Sequence, residues 1–304
     1  MSFTETDTVS RQGVIKMKLI KKISFGVIGA VALTAMAASP DSKAEAGVIA
    51  YSTLQITNVQ ISAGGEIIGG VTSIDNATSS RASFDDVPGI ANSNDTDTAM
   101  SCVGSCGTIG QNDFTQVSAA NPTLRFARGD ALLTGTIPGG DANAFTVAET
   151  QLTSIGATNA GGEISNTSFF FTTEFEGDAP GLTLGFDAFG ELLAESTEAT
   201  GFAQADFDWN LQLFDVTGGT LAGFFLPQEL NQQVAVSGVG TDSYTIDDSF
   251  ELTVSGLQAN HVYRLSISHN SDVEAALPVP ATMAVLGIGL LGLGAIARRR
   301  RKSA

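Results

Sequence analysis

The chain has 304 residues, with 32 Asp and Glu against 15 Lys and Arg, a formal net charge of −17, and only 2 cysteines and 2 histidines. The basic residues are unevenly placed. Six precede Gly47 and five follow Ala297, so only Arg81, Arg125, Arg128 and Arg264 lie between, against 28 acids for a net charge of −24. A surface of that sign excludes recognition of nucleic acid or anionic lipid through a basic patch.

Met1 to Ala46 reads as an export signal peptide. Lys16, Lys18, Lys21 and Lys22 make a basic n-region, and Ile23 to Ala38 supplies an apolar h-region. Cleavage is placed after Ala37 or Ala46, where small residues hold the two positions that matter. The stretch before Lys16 is polar and odd for a leader, whereas Met17 opens an ordinary one, so Met17 is the expected start. Roughly 230 residues then remain up to Pro280, enough for one large β domain or two small ones.

That exported segment, residues 47–276, is rich in Gly, Ser and Thr, and its apolar residues alternate with polar ones in short runs bounded by Gly, Asn and Asp. The pattern predicts an all-β fold, an antiparallel β-sandwich of the jelly-roll or immunoglobulin-like kind. Val48 to Ile61 reads as a first strand or strand pair. Residues 62–120 have few large apolar side chains and read as long loops interrupted by short strands. Weaker strand signals follow at Leu124–Phe126, Ala131–Thr136 and Ala144–Val147, and stronger ones at Ser168–Phe175 and Leu182–Phe189.

The clearest strand holds Ala203, Ala205, Phe207, Trp209, Leu211 and Leu213 in alternation with Gln204, Asp206, Asp208, Asn210 and Gln212. One face belongs to a core and the other to water. Trp209 therefore reads as core rather than as a sugar-stacking platform. Tyr244–Val254 and Val262–Ser268 are expected to form a closing hairpin across Gly256–Asn260.

Cys102 and Cys106, spaced C-x-x-x-C in a Gly/Ser loop, are expected to close a small disulfide ring in an exported protein. A metal site would need two more ligands, and a redox pair would have C-x-x-C spacing. His261 and His269 lie eight positions apart, about 26 Å along an extended strand, and cannot share a metal through it. Both read as exposed. Asp206 and Asp208 can offer oxygen ligands to Ca²⁺ from the polar face, although no defined calcium-loop spacing accompanies them, and a solvated face explains them as well. No serine stands in a G-x-S-x-G elbow, and no carboxylate pair stands out as a glycosidase dyad among so many acids, so no enzyme is expected.

The last 30 residues carry three signals in a fixed order. Leu277, Pro278, Val279, Pro280, Ala281 and Thr282 form a short Pro-x-Pro element. Residues 281–297 are free of charge, and at about 1.5 Å rise each they give roughly 25 Å of helix, just enough to cross a hydrocarbon core. Arg298, Arg299, Arg300, Arg301 and Lys302 then form a basic cluster that stays cytoplasmic. Within the apolar run Gly287, Gly289 and Gly292 match the dinucleotide pattern G-x-G-x-x-G. That pattern needs a preceding strand and a later acid, and here small residues in a helix better serve close packing in lipid. Likewise Leu277-Pro278-Val279-Pro280 lacks the Thr and Gly of a sortase box.

The arrangement resembles the PEP-CTERM sorting signal, with Leu277 and Val279 in place of the Val and Glu of the usual Val-Pro-Glu-Pro. The resemblance covers about a tenth of the chain. It implies export through the translocon of a Gram-negative bacterium and transient anchoring in the inner membrane by residues 277–304. It further implies cleavage near the Pro-x-Pro element by an exosortase-type membrane transpeptidase, then release or attachment at the cell surface, often in an exopolysaccharide matrix. The expected role is structural or adhesive; a carbohydrate- or calcium-binding module on the same sandwich is the alternative.

Overall fold

A computed structural model of the chain describes residues 16–20, 47–63, 66–67, 74–84, 87–93, 100–107, 109–120, 123–135, 141–172 and 181–278. These form β1 (Lys16–Ile20), β2 (Val48–Ala63), β3 (Glu66–Ile67), β4 (Ile74–Phe84), β5 (Val87–Ser93), β6 (Ser101–Gly104), β7 (Phe126–Thr134) and β8 (Ala142–Leu152). They continue with β9 (Gly156–Thr172), β10 (Leu182–Ser196), β11 (Phe202–Asp215), β12 (Thr220–Phe225), β13 (Gln232–Ser237), β14 (Gly240–Val254) and β15 (Val262–Leu277). Two antiparallel sheets result. The first runs β1-β14-β10-β2-β8-β7-β6, with β3 on β2; the second runs β12-β11-β15-β9-β4-β5, with β13 also on β11. They pack face to face, as expected for a β-sandwich.

The alternation read from the sequence is the alternation of burial. Along β11 and β10 every second residue is buried. Across the interlayer space Phe186 of β10 packs at a tilt against Trp209 of β11, with ring centroids 4.8 Å apart, and within its own sheet it stacks on its cross-strand partner Phe250 of β14 at 5.2 Å. Trp209 is 1% exposed, so its core assignment holds. Such aromatic pairs add about 0.5–1.5 kcal/mol each beyond area burial.

Toward β7 and β9 the inward residues become small, and the sheets close on each other. A Cβ on Gly162 of β9 would run into the carbonyl of Asp130 in β7, and one on Gly129 would meet the carbonyl of Gly161. Only glycine permits that backbone approach. Hydroxyls bridge the same gap: Thr146 of β8 shares a hydrogen bond with Ser271 of β15 at 2.7 Å, and Thr150 shares one with Thr158. At this edge Ser101 of β6 donates its amide to Ser80 Oγ and its hydroxyl to the Ser80 carbonyl, tying the two layers.

Two expectations are corrected. Residues 62–120 hold an 11-residue strand, β4, as well as β3, β5 and β6; in β4 Ser79, Arg81 and Ser83 take the outer face while the small Thr78, Ser80 and Ala82 are buried inward, so the strand carries little of the large apolar signal that marks one in the sequence. β14 and β15 do not form a hairpin. β14 pairs with β1 and β10 in the first sheet, and β15 pairs with β11 and β9 in the second, so 255–261 is a crossing between layers. Within the segment read as the leader, Lys16–Ile20 pairs along β14 from Lys16 opposite Thr253 to Ile20 opposite Ser249. The rest of 1–46 lies outside the described residues.

Candidate functional site

The face of the second sheet that points away from the core carries a grid of polar side chains. The register places Gln204, Glu274, Asn159 and Ser83 in one row across β11, β15, β9 and β4. The next row is Asp206, Asp272, Gly161 and Arg81, and the third is Asp208, Asn270, Glu163 and Ser79. The middle row explains its glycine. Arg81 reaches across Gly161 to form an ion pair with Asp272, and a Cβ at Gly161 would collide with the Asp272 carboxylate and crowd the guanidinium. In the third row the Asn270 amide donates to Asp208 Oδ2 at 3.2 Å and to Asp272 Oδ2 of the middle row at 2.5 Å.

Asp206 and Asp208 are therefore on the polar face, as expected, but they are half-buried rather than freely solvated. Burial, and then the Asp272 charge directly opposite, push the Asp206 carboxyl up to about 6. Burial also raises Asp208. Like charges facing each other across a ladder oppose folding. Because the Asp206 pKa is raised, its penalty is present above pH 6 and is relieved as pH falls toward 4. Asp206→Asn should accordingly stabilise the protein at pH 7, by no more than about 1 kcal/mol given partial exposure and solvent screening. The gain should vanish at pH 4, as read by urea unfolding at the two pH values.

Chemically the grid offers carboxylates, carboxamides and one guanidinium over an open groove of about 480 Å³ lined by Arg81, Asn159, Gln204, Asp206, Asp272 and Glu274. It is suited to hydrogen bonding of hydroxyl-rich ligands. Among the described residues no group of three or more His, Cys, Asp or Glu is set to hold a metal ion. Asn270 and Asp272 were open to discovery from the sequence, since Ser266, Ser268, Asn270, Asp272 and Glu274 alternate with buried residues just as β11 does. Arg81 and Glu163 lacked any such signal.

On the outside of the first sheet, a second row is built of cross-strand partners: Cys102 of β6, Arg128 of β7, Glu149 of β8 and Tyr51 of β2. Arg128 and Glu149 are fully buried and paired at 2.8 Å. The burial comes from the loop 105–120, whose backbone this row holds. Arg128 donates to the carbonyls of Asp113 and Thr115, and Tyr51 donates to that of Phe114 at 2.8 Å. Glu149 accepts the amides of Val117 at 3.1 Å and Ser118 at 2.7 Å, and Asp130 accepts that of Asn112 at 2.6 Å. The Cys102–Cys106 disulfide, present as expected, lies where β6 runs into this loop. Burial raises the Tyr51 phenol.

The histidines depart from expectation. His269 is not exposed: it points inward from β15, is 1% exposed, and its Nε2 lies 2.9 Å from Thr146 Oγ1. Burial lowers it to about 3, so it is neutral. Period-two counting puts residue 269 on the same face as core residues Leu265 and Ile267, which is why solvent never reaches it. His261 is half-buried, with Nδ1 2.8 Å from Asp215 Oδ2 at the β11–β12 turn. Asp215 is raised by burial, but hydrogen bonds from Gly218 and His261 outweigh this and hold it below the usual carboxylate range.

Of the sorting segment, Leu277 ends β15, opposite Gly156, and is a core residue at 7% exposure, while Pro278 directly after it is exposed. Val279, Pro280, Ala281, Thr282, the apolar run 281–297 and Arg298 to Lys302 lie outside the described residues. Among the described residues no helix is long and apolar enough to cross a membrane. The start of β2 is close by: Val48 pairs with Leu152, and Leu152 is joined to Gly156 through the short turn 153–155.

The fold and these sites define an antiparallel two-sheet β-sandwich with an acid-rich polar grid on one outer face and a clamped loop on the other. No protein-family model matches the chain, and no curated protein matches it. Solved structures with some likeness include that of infectious bursal disease virus Gx strain, at 9% identity over 79% of this chain and 69% of that one, with a TM-score of 0.12. Another is the infectious bursal disease virus VP2 subviral particle, at 10% identity over 78% and 68%, with a TM-score of 0.09. Superposition that poor carries no argument about this protein.

Proposed function

We propose that the protein is an exported surface or extracellular-matrix component, with a structural or adhesive role, delivered by a PEP-CTERM-like tail. In this scheme the chain is the substrate of an exosortase-type transpeptidase and performs no catalysis itself. The observation that carries the proposal is the position of Pro278. β15 is a core strand up to Leu277, and the exposed proline follows at once, at the end of the sandwich where β2 enters. A membrane enzyme would meet the Pro-x-Pro element, kept extended by its prolines, with the folded domain on one side and the apolar run and the cations Arg298 to Lys302 on the other. The start of β2 and the end of β15 lie at one end of the sandwich, so segments continuing from both would reach one membrane surface. The chain's frequent passage between sheets fits a jelly-roll or immunoglobulin-like sandwich.

The test is the mass of the mature protein from its native host, with its C-terminal peptide sequenced. A C-terminus between Pro278 and Thr282 is expected, with the apolar run and the arginines gone. An intact Lys302 end in the inner membrane would overturn the proposal.

A second reading rests on the polar grid around Asp206 and Asp272, whose carboxylates and amides match sugar hydroxyls and could also gather Ca²⁺. Calorimetry with purified exopolysaccharide and with Ca²⁺ separates it from an inert matrix role. Heat released with wild type and lost in Arg81→Ala and Asp272→Asn would favour it.

A further inference from the structure

Among the described residues β1 is the outermost strand of the first sheet and pairs with β14 alone. The register sets Met17 opposite Leu252, Lys18 opposite Glu251 and Leu19 opposite Phe250. Phe250 and Leu252 are buried, whereas Glu251 between them is half-buried on the outer face. β14 also carries Asp242, Asp247 and Asp248, and it has no Lys or Arg. Across the sheet the row of Glu251 continues into Gly185 and Gln60. Gly185 leaves room there for a groove of about 340 Å³, whose lining includes Asn58, Gln60, Asp187, Ser249 and Glu251.

We infer that the β14 edge at 249–253 is a docking site for an extended strand of another protein, one that carries a Lys or Arg between apolar residues. The inference rests on the export reading, in which cleavage after Ala37 or Ala46 removes Lys16–Ile20 and leaves this edge unpaired in the mature domain. A bare edge offers its backbone N–H and C=O groups to any strand that fits. Its side chains narrow the choice. Residues directly opposite each other on an antiparallel ladder share one face of the sheet. A partner residue opposite Glu251 therefore lies beside the groove, where Glu251 and Asp187 favour a cation, and its two neighbours lie against Phe250 and Leu252 at the margin of the core. The order Met17-Lys18-Leu19 meets both conditions. A second copy of β14 does not, since it brings four acids against four with no base in either strand, and like charges across a ladder oppose pairing. The four arginines between Gly47 and Ala297 stand in or beside strands already paired within the sandwich, so the cation comes from a different protein.

The test uses mature protein purified from its native host, with the N-terminus sequenced first. A start at Ala38 or Gly47 is expected; a chain that still holds Lys16–Ile20 would overturn the export reading, and this inference with it. A labelled peptide of residues 16–22, Lys-Met-Lys-Leu-Ile-Lys-Lys, is then titrated by fluorescence anisotropy at physiological salt, beside a shuffled peptide of the same composition. The native order should bind more tightly than the shuffled one and should slow deuterium exchange over 249–253. Glu251→Lys, on the outer face, should weaken binding about fivefold, the scale of turning an opposite-charge cross-strand pair into a like-charge one. The peptide carrying Lys18→Glu should regain that loss on the Glu251→Lys protein. Equal binding of native and shuffled peptides to a correctly processed protein would reduce the effect to net charge and overturn this inference alone. So would unchanged exchange over 249–253, or a mature protein already dimeric through β14.

Discussion

Replacing Arg128 by alanine should destabilise the protein by about 3–5 kcal/mol, the usual cost of breaking a buried ion pair from one side. The guanidinium sits at zero exposure, bound to Glu149 and to the carbonyls of Asp113 and Thr115. Its removal strands a carboxylate in the interior and leaves two carbonyls without their donor. For a domain of this size the loss corresponds to a fall in Tm on the order of 10 °C. The loop 112–118 should detach first, so its amides should exchange with deuterium faster than those of β10 or β11, while the Cys102–Cys106 bond stays intact. Arg128→Lys keeps the charge but not the planar fork that serves three acceptors, and should recover only part of the loss. The double variant Arg128→Met with Glu149→Leu should lose less than the two single changes together, because no charge is then left unpaired. A loss below 1 kcal/mol for Arg128→Ala, with loop exchange unchanged, would mean that the clamp is not what holds the loop.

Acid should unfold the protein through His269. Its folded pKa is about 3, against about 6.5 for an unfolded histidine. Between those values the unfolded chain binds the extra proton, so stability falls as pH falls, by about 1.4 kcal/mol per unit once below 6.5. At pH 3 the accumulated loss is about 4–5 kcal/mol. His269 lines a small cavity of about 30 Å³ with Ile56, Val59, Asn143, Ile164, Phe186 and Trp209, all non-ionising, so its neighbours there offer no compensating charge. Asp206 acts in the opposite sense between pH 6 and 4, so the wild-type profile alone mixes the two. The decisive measurement is the difference in unfolding free energy between wild type and His269→Gln from pH 7 to pH 3. That difference should shift steadily in favour of the variant below pH 6.5. A flat difference would mean that His269 is protonated in the folded protein, and hence not sealed from solvent.

How far the sequence reached differs between the two outer faces. Strand β11 was legible because from Ala203 to Leu213 its inner and outer faces are pure: Trp209 and its apolar neighbours went to the core, and Asp206 and Asp208 to the outer face. β7 was barely legible. Phe126 to Ala131 are all buried, since loop 105–120 covers the face that would otherwise be polar, and alternation disappears when both sides are dry. The disulfide followed from the C-x-x-x-C spacing in a Gly/Ser loop and from the expectation of export. The clamp behind it did not, because Cys102, Arg128, Glu149 and Tyr51 are scattered over more than 90 positions and meet only through the register of β6, β7, β8 and β2.

By itself, then, the sequence determined the fold class, the disulfide and the inward path of Trp209. Each of these depends on residues near one another along the chain. The tertiary structure alone decided that β14 and β15 part into different sheets, that His269 is sealed in the core, and that Arg81 reaches Asp272 across Gly161. Those outcomes are set by which strands become neighbours, and neighbour choice is made by the packing of whole faces, on which period-two alternation is silent.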